Sequence, residues 1–137
     1  MMRIILDTNV WLSGIFWRGK PGIIIDRIFS GETELMPVFS AVTLAELESK
    51  IRKRYPYRLI HRIRSLSLMV ANVPSTKIKV RDPNDQILVD LCIAAKVSVL
   101  ITGDKDLLVL KKIGRTRVVT PSEFVLMLSV AKSDFLA

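Results

Sequence analysis

A lone cysteine, Cys92, has no partner with which to form a disulfide within the chain. That suits a reducing compartment and leads us to expect a cytoplasmic protein. Cys92 lies in an apolar helical run and reads as a small core residue, since a nucleophilic thiol needs an electropositive, partly exposed setting. A lone histidine, His61, sits among arginines. It leaves little material for Ser-His-Asp chemistry or for a histidine-built metal site. No apolar run approaches the roughly 18 residues of a membrane span, so no membrane partner is expected. Met1-Met2-Arg3 leads directly into a strand, not into a signal-peptide core. Acids are missing altogether from Lys50 to Arg64, where Lys50, Arg52, Lys53, Arg54, Arg58, Arg62 and Arg64 accumulate. That stretch is either a solvated basic face or a phosphate-binding one. Over the whole chain the net charge is +8, which points to a polyanionic partner, with nucleic acid first and an anionic membrane surface second.

What is present is a globular composition of 137 residues, 50% hydrophobic and 25% charged. Residues 1–137 are expected to form one domain. Arg3 to Leu6 reads as a strand buried on both faces, with Asp7 just past its carboxyl end. Asn9 to Phe16 predicts a short helix, and Trp11, Phe16 and Trp17 read as core aromatics. Pro21 suits the first turn of a second helix that runs to Phe29. Glu34 to Phe39 predicts a strand, with Pro37 arguing for an edge or a terminus. Ser40 caps the next helix, which ends before Tyr55-Pro56. A further helix spans Tyr57 to Leu66, and Leu68 to Val73 reads as a third strand. Asp82-Pro83-Asn84-Asp85 opens a helix, and Val97 to Ile101 is a β-branched strand. A short helix over Leu107 to Lys112 is closed by Gly114, and Arg117 to Thr120 is the last strand. The final helix runs from Pro121 to about Val130, followed by a frayed end. Alternating strands and helices predict an α/β fold, a mostly parallel sheet flanked by helices.

Two strands of this sheet end in the same way. Asp7 follows one, and Thr102-Gly103-Asp104 follows the other. Open α/β sheets place their ligands at such strand ends. Glu46 lies on a helix with mostly apolar neighbours and is expected to face the protein, and Asp85 opens the helix before the second of these strands. Each acid also has a plain role as cap, turn former or ion-pair partner. Four carboxylates meeting in one cleft repel one another and resist desolvation, which divalent cations relieve. An oxygen-only set favours Mg²⁺ or Mn²⁺. Such clusters hold one or two ions, which activate water and stabilise charge at a phosphodiester.

These residues resemble the PIN-domain ribonucleases, notably the VapC-like toxin component of toxin–antitoxin pairs. Asp7-Thr8-Asn9-Val10 is similar to the family's opening D-T-N motif, and Ser40 through Glu46-Leu47 to its second. Asp82-Pro83-Asn84-Asp85 with Ile93-Ala94-Ala95 resembles the third, and Thr102-Gly103-Asp104-Lys105-Asp106-Leu107 the fourth, T-x-D-x-D. The resemblance implies an acidic site at the carboxyl ends of the central strands, holding one or two Mg²⁺ or Mn²⁺ ions. Asp7, Glu46, Asp85 and Asp104 would be the primary catalytic and metal set, Asp106 a further ligand that shares the work of Asp104. Thr102 would support them, and Asn9 would orient Asp7. In the third motif Asp82, Asp85 and Asp90 compete. Asp85 fits best by its offset from the apolar run, and Asp90 lies about 140° around the helix from it.

The resemblance also implies an RNA substrate, a homodimer and an antitoxin partner. The basic segment from Lys50 to Arg64, together with Lys77, Lys79 and Arg81, would hold the RNA backbone. The alternatives are a non-toxic RNA-processing nuclease and a nucleic-acid-binding module without catalysis. An aspartyl-phosphate phosphotransferase would want a second acid where Asn9 stands. A signalling receiver would need paired acids that Ile4-Ile5-Leu6 does not supply.

Overall fold

In the computed structural model, which describes residues 1–31, 34–54 and 57–136, the first strand is the middle of the sheet. β1 (Met2–Leu6) is flanked by β2 (Leu35–Ser40) and β4 (Val99–Ile101), both parallel to it. β3 (Leu68–Val70) extends one side, and β6 (Thr116–Val119) with β5 (Lys112–Ile113) extends the other. The order is β3-β2-β1-β4-β6-β5, and only β5 runs antiparallel. The chain therefore winds outward from β1 through β2 and β3, then returns to β1's other side. The point of reversal lies between β1 and β4, where Leu6 is in register with Ile101. Asp7 and Thr102 are thus brought side by side.

The apolar strand residues alternate between two cores. Ile4 and Leu6 face one core with α1 (Thr8–Phe16), α2 (Gly19–Phe29), α3 (Ala41–Ile51), α4 (Tyr57–Ser65) and α7 (Pro121–Leu136). Ile5 faces the other, under α5 (Pro83–Ala94) and α6 (Lys105–Leu108). Cys92 is fully buried there, and burial pushes its thiol up to about 12. Ser40 caps α3 by accepting from the Thr43 backbone N–H at 3.2 Å, and Thr43 Oγ1 accepts from the Ser40 N–H at 2.9 Å. Gly14 is where α1 and α2 meet. A Cβ there would lie 2.4 Å from Ile25 Cδ1 and 2.9 Å from the Pro21 backbone.

Several expectations need correction. Pro37 lies within β2, paired with Ile4 and not at the sheet's rim. β3 joins β2 only from Val38 onward, so up to Pro37 the strand has a partner on one side alone and the missing N–H is tolerated. β3 stops at Val70 rather than Val73 because its pairing with β2 ends at Ser40. Lys112 and Ile113 leave the expected helix to form β5, and Gly114, with φ of +59°, occupies a two-residue hairpin turn before Thr116. Trp11 is buried and stacks on Phe39 at 5.7 Å, but Trp17 is 74% exposed and meets only the edge of Phe16. α7 continues to Leu136, with neither glycine nor proline after Pro121 to stop it. The Tyr55-Pro56 break and the chain end at Ala137 lie outside the described residues. No helix among the described residues is long and apolar enough to cross a membrane.

Candidate active site

Asp7 leaves β1 at the reversal point and is 8% exposed. One carboxylate oxygen accepts from the Val10 N–H at 2.9 Å and so caps α1. The other accepts from Thr102 Oγ1. Thr102 is fully buried, and its oxygen accepts in turn from the Asp104 N–H at 3.0 Å. One hydroxyl thereby ties the end of β1 to the end of β4. Burial pushes the Asp7 carboxyl above its ordinary value, and the charge of Asp104 adds to this against the bonds from Thr102, Val10 and the Asn9 backbone.

Asp104 caps the short α6, accepting from the Asp106 N–H at 2.9 Å. Asp85 enters from the first turn of α5, whose N-cap is Asp82, accepting from the Asn84 N–H at 2.8 Å. Among the described residues Asp85, Asp104 and Asp106 bring carboxylate oxygens within 4.8 Å of one another. Burial, then the charge of Asp104 and a hydrogen bond shared with it, then Asp82 and Asp106, push the Asp85 carboxyl up to about 6. Hard oxygen ligands at this spacing fit Mg²⁺ or Mn²⁺ and lack the nitrogen and sulfur that zinc prefers.

The acids open onto a cleft of about 900 Å³ lined by Asp7, Asn9, Asp82, Asp85 and Asp104 together with the α3 residues Val42, Glu46 and Lys50. Glu46 is half-exposed, not turned into the protein, and its carboxylate lies 3.6 Å from Lys50 Nζ one turn on. It shares the cleft with Asp85 and Asp104 and stands outside the triad. The Asn9 side chain is exposed on the cleft wall, and what this residue gives Asp7 is its backbone N–H. Asp90 serves elsewhere, accepting from Thr76 Oγ1 at 2.8 Å and from Gln86 Nε2 at 2.9 Å. Burial raises its carboxyl, but these bonds outweigh it and hold the group below its ordinary value. Thr8 and Asn84 also line the cleft without having been singled out, although both stand inside the motifs quoted above.

Among the described basic residues, Lys50 alone lines the cleft. Arg52 is paired with Glu48 at 3.1 Å, Arg54 lies over the Phe16 ring, and Arg62 lies over the Phe29 ring. Lys53, Arg58 and Arg64 are exposed.

The molecule is thus a doubly wound α/β domain with a carboxylate pocket at its switch point. Comparison with known proteins makes that class specific. The family profile described as PIN domain matches residues 3–106. The uncharacterized protein MJ1680 of Methanocaldococcus jannaschii is 31% identical over 144 residues, covering 90% of each chain. Two solved structures share the fold. VapBC2 from Rickettsia felis, bound to a DNA fragment from their promoter, has a TM-score of 0.56 at 15% identity and covers 87% of this chain and 98% of its own. VapBC-1 from nontypeable Haemophilus influenzae has a TM-score of 0.58 at 19% identity and covers 88% and 99%. The chain belongs to the PIN-domain family, whose members are nucleases.

Proposed function

We propose that this protein is a divalent-metal-dependent endoribonuclease and the toxin of a toxin–antitoxin pair. The observation that carries the catalytic part is the close set of Asp85, Asp104 and Asp106 oxygens beside a cleft with room for a strand. Membership of a nuclease family supports it. Asp85, Asp104 and Asp106 would hold Mg²⁺ or Mn²⁺, with Asp7 and Glu46 lining the same cleft. A bound cation supplies Lewis-acid charge and a lowered pKa for water. Thr102 fixes the Asp7 carboxylate and the Asp104 backbone together. Lys50 offers a positive charge in the cleft lining for a phosphate oxygen. The antitoxin partner is supported by the two fold neighbours, both VapBC proteins. The reading includes a homodimer acting in the cytoplasm.

The test is cleavage of end-labelled RNA by the purified chain. Cleavage is expected with Mn²⁺ or Mg²⁺ and none with EDTA. RNA bound in a salt-dependent way but left intact across several substrates would favour the binding module instead. Arrest of growth on expression, relieved by a small protein encoded beside it, separates a toxin from an RNA-processing enzyme.

Thr102 gives a sharper check on the geometry. Thr102→Val keeps the shape but removes the donor to Asp7 and the acceptor for the Asp104 N–H. Loss of such an outer partner costs roughly 10–100-fold in activity or metal affinity. Cleavage should fall by that much in Thr102→Val and recover in Thr102→Ser. Equal rates in all three chains would make the hydroxyl merely structural.

A further inference from the structure

Four of the seven lysines and arginines from Lys50 to Arg64 are engaged within the fold, and Lys53, Arg58 and Arg64 are exposed. Lys50 pairs with Glu46 and Arg52 with Glu48. Arg54 covers Phe16, and Arg62 covers Phe29 while donating to its carbonyl at 3.2 Å. A different basic row stands beside the acids. Between β3 and α5 the chain bends at Asn72 and at Lys77 and forms a strap in which Val73, Ile78 and Val80 pack against the core under α5. Lys77, Lys79 and Arg81 alternate with them and are exposed.

Gln86 holds this strap between Ile78 and Val80. Its Oε1 accepts from the Val80 N–H at 2.8 Å and its Nε2 donates to the Ile78 carbonyl at 2.8 Å. Those are the two bonds a neighbouring strand would make. Nε2 also donates to Asp90 at 2.9 Å, and Asp90 accepts from the Thr76 N–H at 3.2 Å and from its hydroxyl at 2.8 Å. The strap is therefore fastened along its length to the helix that carries Asp85. Among the described residues no ion pair or hydrogen bond engages the side chains of Lys77, Lys79 or Arg81, and Lys79 acts on Asp90 only through its charge. Alternate residues of an extended chain recur about every 6.6 Å, so the row is ~13 Å long. It ends at Arg81, next to Asp82 on the cleft wall.

We propose that Lys77, Lys79 and Arg81 form a rail that tracks the phosphates of a single-stranded RNA and feeds the strand into the acidic cleft. The proposal rests on the ribonuclease reading for the identity of the strand. A cleft lined with carboxylates repels a polyanion, and a row of free cations at its mouth offsets that repulsion. A short row of this kind, alternating along one segment, suits the backbone of a single strand, whereas a duplex presents its phosphates along a winding helix. The rail, not α3–α4, carries most of the salt-sensitive contact.

The experiment compares three chains: the unaltered protein, a Lys77→Ala/Lys79→Ala/Arg81→Ala triple, and a Lys53→Ala/Arg58→Ala/Arg64→Ala triple. Both triples remove exposed charge only, and the same amount of it. Binding of a short labelled single-stranded RNA is followed by anisotropy in EDTA over about 50 to 200 mM salt. Three lost phosphate contacts should flatten the plot of log affinity against log salt by about 2 and weaken low-salt binding by roughly tenfold. The α3–α4 triple should give less than half of either change. Equal or larger losses in that triple overturn the rail, as does duplex RNA competing as well as single strands. Metal-dependent cleavage by the unaltered chain is measured in parallel. Cleavage with no rail effect sinks the rail and leaves the nuclease. A rail effect with no cleavage does the reverse. A chain that neither binds nor cleaves RNA overturns both.

Discussion

Asp104→Asn should abolish RNA cleavage while leaving the fold intact. Asp104 acts on the acids at both strand and helix ends. Its charge raises both Asp7 and Asp85, and its oxygens lie with those of Asp85 and Asp106. Asparagine is also a good helix cap, so the bond from the Asp106 N–H to this side chain can persist. What goes is one negative charge from the set that would hold the cation. Removing mere outer partners of metal ligands costs roughly 10–100-fold, so loss of a ligand should cost at least about a hundredfold in cleavage. Metal-induced thermal stabilisation should shrink with it. The metal-free variant should be no less stable than the unaltered chain, because a repulsive charge has left the cluster. Unchanged cleavage would return Asp104 to its plain role as the cap of α6.

The metal-free protein should lose stability as pH rises from about 4 to 6, and Mn²⁺ should restore it. Asp85 moves from an ordinary 3.8 up to about 6, and Asp7 is raised as well. An acid raised in this way holds its proton more tightly in the fold than in the unfolded chain, so raising the pH through that interval removes stability. The loss is absent below about 3.8 and complete for Asp85 above about 6. Asp90 has the opposite sign. Its lowered carboxyl contributes stability above its unfolded value and loses it only as pH falls through the folded one. The two effects therefore occupy different parts of the scale. A cation in the triad opposes the repulsion directly, and at a hundredfold excess over its Kd it adds ~2.7 kcal/mol. Melting curves at several pH values, with EDTA and with Mn²⁺, read both. A metal-free melting temperature that rises between pH 4 and 6 would mean that the carboxylates are stabilised by contacts, not crowded.

The strands and the acids that follow them were readable because β1 and β4 are apolar runs ending abruptly in polar residues, a signal carried within six residues of chain. The caps at Ser40 and Asp104 were local too, whereas α5 is capped by Asp82, which reads as a turn residue before proline, and not by Asp85. Glu46 was not readable in this way. Its helix neighbours are apolar, but its own side chain turns to the cleft and meets Lys50, which depends on how α3 lies over the sheet. The place of Pro37 in an inner strand depends on how short β3 is, and no feature of the second strand encodes that. β5 exists only because β6 is there to pair with it. The cations of the Lys77-Ile78-Lys79-Val80-Arg81 segment stood out in the sequence. The segment's fastening by Gln86 and Asp90 did not, since Thr76 and Asp90 lie 14 residues apart.

Asp7 answers to two demands at once, with one oxygen on the first helix and the other on the hydroxyl that joins the strand ends. Asp106 answers only to the cluster. In a lineage that gave up chemistry and kept only binding, the two positions should drift differently. Position 106 would be free to take any residue that tolerates a first helical turn. Position 7 would stay among asparagine, serine, threonine and aspartate, held by the helix it starts. A descendant with a cap at position 7 and no acid at 106 would therefore mark lost catalysis on a preserved fold.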